Sequence, residues 1–468
     1  MKISFTDDVF EKLKKHLCWD GREKMAYLLC HSTSSGGSVK LFPRHFLIPE
    51  EKDYVQRSAG YLEVEKRFAS WVFNMAVAEQ CDVLQAHVHP PGTRGRFSQI
   101  DAHDEPVFMC HVAENINGLY HASMVFSHDF GELDSWFFDR ERQQVVQVEK
   151  VTVVGPDRIK ILIPTGNNSE KTVPDRMDRT VKAYGLDAVA MLGHLDIGIV
   201  GMSGLGSPLA EILARYGVRS ISVCDPDAIE ESNLNRLVGC RPTDVGRSKA
   251  EFYVDYIARI NPLVRSFPYA KSFYDHDVQA AFSQVDVIIG GVDSEVRMSI
   301  NRLALANLIP YFDLGAGISR ANGKIEFKGG QVVSVIPGRN VCLECSGLFE
   351  GLKKRFWSRE KKARERAQGY LVDAEGDPTT DSPLVADLDF VIAGWGCHQV
   401  LSYLWGTGPA DTFNLHCDMS KNRLVPAASP SEGCMWCRMD DLLGMGDKIP
   451  HMLPDQDEKI DVPAAVVT

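Results

Sequence analysis

The pattern of apolar and polar positions differs between the two parts of this 468-residue chain. Before about residue 164, short apolar runs predict strands, and they surround one long amphipathic stretch, residues 63–80, that predicts a helix. The apolar runs are residues 25–30, 83–89, 121–127 and 151–164. Strands gathered around few helices are typical of an α+β unit.

From about residue 172 onward, apolar strands alternate with helical stretches. The predicted strands are residues 197–200, 220–224 and 285–289, and the predicted helices are residues 207–216, 247–260 and 296–308. This alternation predicts a parallel sheet with helices on both faces, a doubly wound fold of the Rossmann type. The charged run at residues 353–366 predicts a solvated helix.

The polar segment at residues 164–171 predicts a linker between these parts. We therefore predict an α/β protein with two domains, residues 1–164 and residues 172–445. Residues 446–468 include an acidic stretch and lack apolar periodicity, which predicts a disordered tail.

Composition narrows the function. Hydrophobic residues make up 44% of the chain and charged residues 24%, which is typical of a globular protein. The net charge of -12 argues against nucleic-acid binding. No stretch approaches the ~20 apolar residues of a membrane-spanning helix, and no apolar leader opens the chain, so we expect a cytoplasmic protein without membrane contact. The 12 cysteines are then expected to be reduced thiols and metal ligands.

Three residues in the first domain predict a metal site. His87 and His89 are two positions apart on a predicted strand, so both imidazoles face one side and can chelate one ion. Asp101 could supply a third ligand, and three protein ligands leave the fourth position of a tetrahedral zinc open for a water. An isolated His-x-His pair is more often a surface or core feature, so the neighbouring residues decide whether this pair is interpreted as a metal site.

A base and an oxyanion donor complete this prediction. Glu23 precedes the strand at 25–30 and could act as a general base, and Ser98 could donate to a developing oxyanion. The whole string His-x-His-Pro-x7-Ser-x2-Asp, over residues 87–101, resembles the signature of the JAMM (MPN, JAB) zinc metallopeptidases. The resemblance implies a cytidine-deaminase-like fold, a catalytic Glu23, and cleavage behind the C-terminal glycine of ubiquitin-like proteins. The alternative is a degenerate remnant that binds no metal.

The second domain carries a glycine loop between its first predicted strand and helix. Gly201, Gly204 and Gly206 would let the backbone approach phosphates at the N-terminus of a helix. Asp225 ends the next predicted strand and is suited to ribose hydroxyls. These features alone suggest NAD as readily as ATP.

Polar and cationic residues downstream favour ATP. Arg236 and Lys249 could clamp a triphosphate, which hydride transfer does not require but loss of pyrophosphate does. Asp293 follows the strand at 285–289 and is suited to Mg²⁺. Taken singly, such cations are usually solvated and such an aspartate usually caps a helix.

Over about residues 172–440 the chain resembles the ThiF/MoeB family and the adenylation half of ubiquitin-activating enzymes. The residues that carry the resemblance are the glycine loop, Asp225 with Asp227, the string Ser232-Asn233-Leu234-Asn235-Arg236, Lys249, and Asp293 with Arg297. It implies that Asp225 and Asn233 hold the ribose and nearby groups, that Arg236 and Lys249 hold phosphates, and that Asp293 serves Mg²⁺. Arg179 matches an arginine that family members lend to a partner's site, which implies a homodimer.

Two cysteine pairs predict a second zinc. Cys342 with Cys345 and Cys434 with Cys437 form two Cys-x-x-Cys knuckles, and four thiolates close a tetrahedral structural site. A redox role for one pair is the alternative. The ThiF/MoeB resemblance also implies a zinc here.

A thioester-forming cysteine is missing from the segment where many family members hold one, since residues 347–396 contain no cysteine before Cys397. Cys240, Cys397 and Cys417 remain as substitutes, although cysteines in helices or strands are usually buried packing residues. We therefore expect the reaction to stop at an acyl-adenylate or to pass it directly to an acceptor.

Together the two sites predict processing and ATP-dependent adenylation of a ubiquitin-like protein that ends in glycine, with an E2-type carrier as a further candidate partner. One alternative is a ThiF-like adenylyltransferase acting on a small peptide or sulfur carrier in metabolite biosynthesis. Another is a scaffold in which both inherited folds bind a partner without turnover.

Overall fold

The computed structural model describes residues 1–116, 118–167, 174–292, 295–321, 324–339, 342–345, 384–408, 414–421, 423–426, 434, 437 and 442–449. Asp293 and the charged run at 353–366 lie outside these residues. None of the described helices is both long enough and apolar enough to cross a lipid bilayer.

The first domain is a mixed nine-stranded sheet in the order β11-β10-β1-β3-β2-β6-β7-β8-β9. The strands are β1 (Lys2–Thr6), β2 (Met25–Ser35), β3 (Ser38–Leu47), β6 (Asp82–Val88), β7 (His121–Phe126), β8 (Leu133–Asp139), β9 (Gln144–Gln147), β10 (Lys150–Val154) and β11 (Ile159–Leu162). The helices are α1 (Asp7–Leu17), α2 (Lys66–Ala78) and α3 (Gln99–Asn115), and β4 (Tyr54–Arg57) pairs with β5 (Leu62–Val64).

Two elements of this domain differ from the sequence prediction. The apolar run at 151–164 is an antiparallel hairpin in which Val154 faces Ile159, because the turn at Gly155 interrupts the run. The predicted helix at 63–80 begins only at Lys66, because the preceding residues extend and pair with β4. The spacing of apolar residues along the chain predicts neither the hairpin turn within a run nor the pairing of a segment with a distant strand.

The second domain confirms the doubly wound, Rossmann-like fold. Its sheet has the order β14-β13-β12-β15-β16-β17-β18-β19, parallel through β16 and antiparallel beyond it. The strands are β12 (Asp196–Val200), β13 (Ser220–Cys224), β14 (Arg265–Tyr269), β15 (Val287–Gly290), β16 (Tyr311–Ala321), β17 (Lys324–Val335), β18 (Asn414–Asp418) and β19 (Arg423–Pro426). Chain order reverses at β12, and ligands of such sheets bind at the strand ends beside this point.

Seven helices accompany this sheet among the described residues: α4 (Asp178–Tyr184), α5 (Leu186–Leu192), α6 (Gly206–Tyr216), α7 (Lys249–Ile260), α8 (His276–Phe282), α9 (Val296–Ala306) and α10 (Ala386–Trp405). Helix α6 starts directly after the glycine loop, and α10 packs against α6, β16 and β17. The start of α10 therefore lies near the loop.

Buried charges join the two domains. Lys2 donates to Asp196 over 2.9 Å, and Lys150 donates to Asp196 over 3.1 Å and to Asp286. All four side chains are at most about a tenth exposed. The lysines belong to the first domain, whereas Asp196 begins β12 and Asp286 immediately precedes β15 in the second, so each domain neutralises the charges that the other buries.

Apolar contacts continue across the same interface. Phe42, Val154 and Ile159 of the first domain belong to the hydrophobic cluster that forms the core of the second. The Tyr403 hydroxyl donates to the Gly155 carbonyl over 2.9 Å. The described parts of the two domains thus share a continuous core.

Residues 442–449 form a further link, which we call the C-terminal strap. Asp447 accepts from the Thr33 hydroxyl over 2.5 Å and from the Ser34 amide over 2.9 Å. Lys448 donates to the Glu79 carbonyl over 3.0 Å. A 3-10 helix at Gly446–Lys448 thus replaces the start of the predicted tail, since these side chains anchor the backbone to β2.

We expect Asp286→Ala to lower the free energy of unfolding by about 3–5 kcal/mol, because it removes a carboxylate facing a buried lysine. Urea denaturation followed by intrinsic fluorescence measures the change. Asp8→Ala is the matched control, because Asp8 belongs to an exposed pair with Lys12 and should cost little. Equal effects of the two substitutions would contradict the importance of the buried charges.

Candidate functional site

The two histidines and the aspartate predicted from sequence converge at the end of β6. Nε2 of His87 and Nε2 of His89 are 3.3 Å apart, and Oδ2 of Asp101 is 3.2 Å from His89. Oδ1 of Asp101 is 3.7 Å from Nε2 of His87. Ligands at zinc–nitrogen and zinc–oxygen bond lengths would be ~3.4 Å apart in a tetrahedron. The donor set therefore fits a zinc ion that keeps one open position.

The N-terminus of α3 holds the aspartate in place. Ser98 is the N-cap, and its hydroxyl accepts from the Asp101 amide over 3.1 Å. The Asp101 carboxylate accepts in return from the Ser98 amide over 2.7 Å. Burial works against ionisation of Asp101, but the neighbouring imidazoles and Ser98 keep its pKa well below the usual range. This reciprocal cap aims a charged carboxylate at the histidines.

Glu23 lies in the same cavity, which has a volume of about 580 Å³. Its side chain is buried, and burial raises the pKa of its carboxyl even though His87 and His89 oppose the shift. A raised pKa suits a carboxylate that must accept a proton and return it. The β4–β5 hairpin lines one side of the cavity through Tyr61 and Leu62.

The sequence analysis missed Glu105, which lines this cavity one helical turn after Asp101. Gln85 donates to both of its carboxylate oxygens, over 2.7 and 2.6 Å. Burial raises the pKa of Glu105 to about 7. The i, i+4 spacing from Asp101 on a predicted helix would have been the signal.

The four predicted cysteines also converge, at the end of the second domain. Sγ of Cys342 is 4.0 Å from Cys345 and 3.7 Å from Cys434, and Sγ of Cys345 is 3.4 Å from Cys437. Thiolates on a tetrahedral zinc are ~3.8 Å apart. All four ligand atoms lie within 4.8 Å of one another, so the donor set fits a closed, structural ion.

The glycine loop packs too tightly for side chains. Gly201 has φ of +90°, and a Cβ there would lie 2.7 Å from Val292. A Cβ at Gly206 would lie 2.0 Å from the Gly201 carbonyl oxygen. The loop therefore brings its backbone to the N-terminus of α6, an arrangement that binds phosphate.

Asp225 and Lys249 form the opposite wall of the nucleotide cavity. The Asp225 carboxylate accepts from the Met202 amide over 2.6 Å and from the Asp227 amide over 2.9 Å. Lys249 donates to Asp227 over 3.0 Å from a buried position. Burial raises the pKa of Asp225, while Lys249 opposes the shift. Asp225 thus ties the strand end to the glycine loop.

Asn233 and Arg236 line the same cavity, which has a volume of about 420 Å³. Among the described residues, Nη1 of Arg236 donates to neighbours along the chain, namely the Ser232 carbonyl over 3.2 Å and the Asn235 side chain over 3.1 Å. The guanidinium is held by weak local contacts and is available to an anion.

The remaining predicted residues of this domain's nucleotide site are Arg179 and Asp293. Arg179 is exposed on α4 and does not line the cavity of its own chain. Asp293 lies outside the described residues. Arg297, which follows it by four positions, donates to the Val292 carbonyl over 2.5 Å and to the Leu314 carbonyl over 3.0 Å. Arg297 thereby fixes the backbone that leads to position 293.

The match with known families decides the assignment of this half. The model of the ThiF family matches residues 177–435, which is more than half of the chain. The chain belongs to the ThiF family. The glycine loop, Asp225, Arg236 and Lys249 fall within the matched residues, as do three of the four cysteines, and Cys437 lies two positions beyond their end.

Curated relatives match part of this ThiF domain. The chain is 36% identical over 155 residues to the "Nedd8-activating enzyme E1 catalytic subunit" of Drosophila melanogaster, covering 32% of this chain and 34% of the relative. It is 36% identical over 128 residues to the "Probable adenylyltransferase/sulfurtransferase MoeZ" of Mycobacterium tuberculosis, covering 27% and 33%. It is 29% identical over 182 residues to "Ubiquitin-like modifier-activating enzyme 5" of Dictyostelium discoideum, covering 35% of this chain and 46% of the relative. The chain thus spans between a third and half of these relatives.

Among solved structures, Escherichia coli MccB with ATP is similar at 18% identity and a TM-score of 0.45. The superposition covers 57% of this chain and 76% of that chain.

We expect Gly206→Ala to lower the free energy of unfolding by about 1–3 kcal/mol, because the new Cβ meets the Gly201 carbonyl. Gly394→Ala is the control. Gly394 lies within α10 where an added Cβ meets nothing within 4 Å, so alanine should stabilise by about 1 kcal/mol. Chemical denaturation of both variants checks the opposite signs, and a neutral Gly206→Ala would disprove the tight packing of the loop.

Proposed function

We propose that the ThiF domain adenylates the C-terminal carboxylate of a ubiquitin-like protein, and that the first domain is a JAMM-type zinc peptidase that processes the same tail. The observation that carries the first part is the glycine loop facing two cations, Arg236 and Lys249, in one cavity. The compact His87, His89 and Asp101 cluster supports the second.

Adenylation follows from the placement of charges around the cavity. A carboxylate oxygen of the substrate attacks the α-phosphorus of ATP, the bond to the β-phosphate oxygen breaks, and pyrophosphate leaves. Arg236 and Lys249 balance the charge that develops on the departing phosphates, and the glycine-loop amides hold the chain of phosphates in line. Asp225 and Asn233 receive the ribose. Magnesium would supply further charge neutralisation, with Asp293 as its expected ligand.

The choice of a ubiquitin-like substrate is supported by two of the relatives. Their names assign them to activation of Nedd8 and of a ubiquitin-like modifier. A peptidase that cuts behind a terminal glycine would expose the same carboxylate that the ThiF domain activates. Both proposed activities therefore converge on one flexible tail.

The peptidase step is assigned to residues of the first cavity. Zinc held by His87, His89 and Asp101 would polarise the scissile carbonyl and acidify a water. Glu23 takes a proton from the attacking water and delivers it to the leaving amine. The Ser98 hydroxyl, which accepts from the Asp101 amide, retains its own proton to donate to the oxyanion.

The raised pKa values of the three candidate cysteines favour acyl transfer that does not pass through a thioester on the protein. Burial raises the pKa of Cys397 to about 12, and burial also raises the pKa of Cys240 and of Cys417. A thiol must ionise before it attacks an acyl-adenylate, so these residues are poor nucleophiles at neutral pH. We infer that an acceptor attacks the acyl carbon of the adenylate directly, so that the acyl group passes to the acceptor and AMP leaves, and an E2-type carrier could provide the acceptor.

We further propose a homodimer in which Arg179 serves the partner's site. In a single chain this arginine is exposed on α4 and outside the nucleotide cavity, so only a second chain could bring it to phosphate.

We expect His89→Ala to lose about one equivalent of zinc per chain and to abolish cleavage of a ubiquitin-like protein extended beyond its terminal glycine. Elemental analysis and mass spectrometry of the products measure the two effects. His103→Ala is the control, because His103 lies on the same helix but is 81% exposed and pairs only with Asp104. Unchanged zinc in His89→Ala would rule out the histidine cluster as the metal site.

We expect Lys249→Ala to reduce ATP–pyrophosphate exchange by about 10²–10³-fold, because a buried cation facing the phosphates is lost. Arg215→Ala removes an exposed cation at the far end of α6, where it pairs with Glu211, and should leave exchange unchanged. The assay is run with a ubiquitin-like protein and with short peptides as acyl substrates. Exchange with short peptides but not with the ubiquitin-like protein would instead indicate a small-peptide adenylyltransferase. No exchange with either substrate would reject the adenylation proposal.

A further inference from the structure

A buried carboxylate beside the glycine loop has no role in the adenylation reaction proposed above. Asp389 lies in the first turns of α10 and is 0% exposed. Neither of its oxygens has a hydrogen-bond partner within the described part of the chain. Its neighbours Phe390 and Val391 are exposed, so the helix turns this one charged side chain inward.

Such a group is costly to bury. Burial raises the pKa of Asp389 to about 6, although the charge of Arg236 opposes the shift and that of Asp387 adds to it. The carboxyl is therefore still largely ionised at pH 7.5. An unpaired buried carboxylate destabilises a fold, and an apolar side chain of similar size would fill the space at lower cost.

The helix terminus does not explain this residue. Asp387, two positions earlier, already places a carboxylate at the N-terminus of α10, where it is exposed and pairs with Lys328. Asp389 instead points toward the glycine loop. A Cβ at Gly204 would lie 1.8 Å from Oδ2 of Asp389, so the absence of a side chain at position 204 makes room for the carboxylate.

Arg236 approaches the same point. Its Cδ would lie 3.1 Å from that Cβ of Gly204. The Nε–H of Arg236 is buried and also lacks a partner among the described residues. A buried donor and a buried acceptor of opposite charge, both without a partner among the described residues, thus lie beside Gly204.

We propose that Asp389 is a positioning residue for Arg236, and that the two close into an ion pair when a triphosphate enters the cavity. The phosphates draw the terminal nitrogens of the guanidinium away from Ser232 and Asn235, and the Nε–H then meets the Asp389 carboxylate. A guanidinium has donors on two edges, so Nε can bind a carboxylate while the terminal nitrogens bind phosphate. The inference rests on the proposed nucleotide site.

The closed pair explains why the carboxylate is kept. When the pair closes on nucleotide binding, the buried carboxylate and the buried Nε–H both gain the partner that they lack in the empty cavity, so affinity for the nucleotide rises. The same carboxylate lowers stability while the cavity is empty, because its charge is then uncompensated.

The test compares ATP–pyrophosphate exchange and thermal unfolding of full-length wild type, Asp389→Asn, Arg236→Ala and the double variant. We expect Asp389→Asn to raise the KM for ATP about tenfold, to leave the KM for the acyl substrate unchanged, and to keep or raise the melting temperature. In the Arg236→Ala background the Asp389→Asn change should have no further effect on the KM for ATP. Asp387→Asn, on the same helix, should leave the KM for ATP unchanged.

Each other outcome counts against the proposal. An unchanged KM for ATP in a folded Asp389→Asn variant, or equal effects in both arginine backgrounds, would overturn the positioning role while leaving the adenylation site intact. Binding of a non-hydrolysable ATP analogue, measured by calorimetry on wild type, separates the two levels. No binding to wild type would overturn the nucleotide site and this inference with it.

Discussion

The structure depends on a small set of charges that neither domain could bury alone. Lys2 and Lys150 reach from the first domain to Asp196 and Asp286, which lie at the start of β12 and immediately before β15, two neighbouring strands of the second domain. Arg219 adds a further contact to Asp196, over 2.7 Å from Nε. Charges without partners in a core destabilise a protein by several kcal/mol, so separating the two domains would expose or strand these side chains.

The two cavities use the same local device. In each, a buried strand ends and the next helix begins with backbone N–H groups facing the site. At the metal cluster, β6 delivers the histidines and the capped start of α3 delivers Asp101. At the nucleotide cavity, β12 leads into the glycine loop and α6. Polar groups at such ends are oriented by the backbone itself, so they need few additional contacts.

This shared device explains which residues the sequence could predict. His87 and His89, Asp101, and the glycine loop act within one strand–turn–helix segment, so their spacing already fixes which face they share. The cysteine pairs were predictable for the same reason, since each knuckle chelates through local geometry. The alternation of strands and helices likewise predicted the parallel, doubly wound sheet of the second domain.

Other features depend on contacts between distant parts of the chain. Asp389 follows Gly204 by almost two hundred positions, and nothing in the spacing around either residue connects them. The lysine–aspartate contacts at the interface have the same character, and so does the hairpin that divides the run at 151–164. In each case the partner is chosen by packing of whole layers, which local periodicity does not encode.

The C-terminal strap has a consequence for how the protein is made. Thr33 and Ser34 are synthesised long before the Asp447 carboxylate that binds them, because Asp447 follows Thr33 by 414 positions. The strap also covers Phe42, which Gly446 approaches to 3.0 Å when a Cβ is added. The first domain therefore leaves the ribosome with this surface bare and acquires its finished shape only after the ThiF domain has emerged.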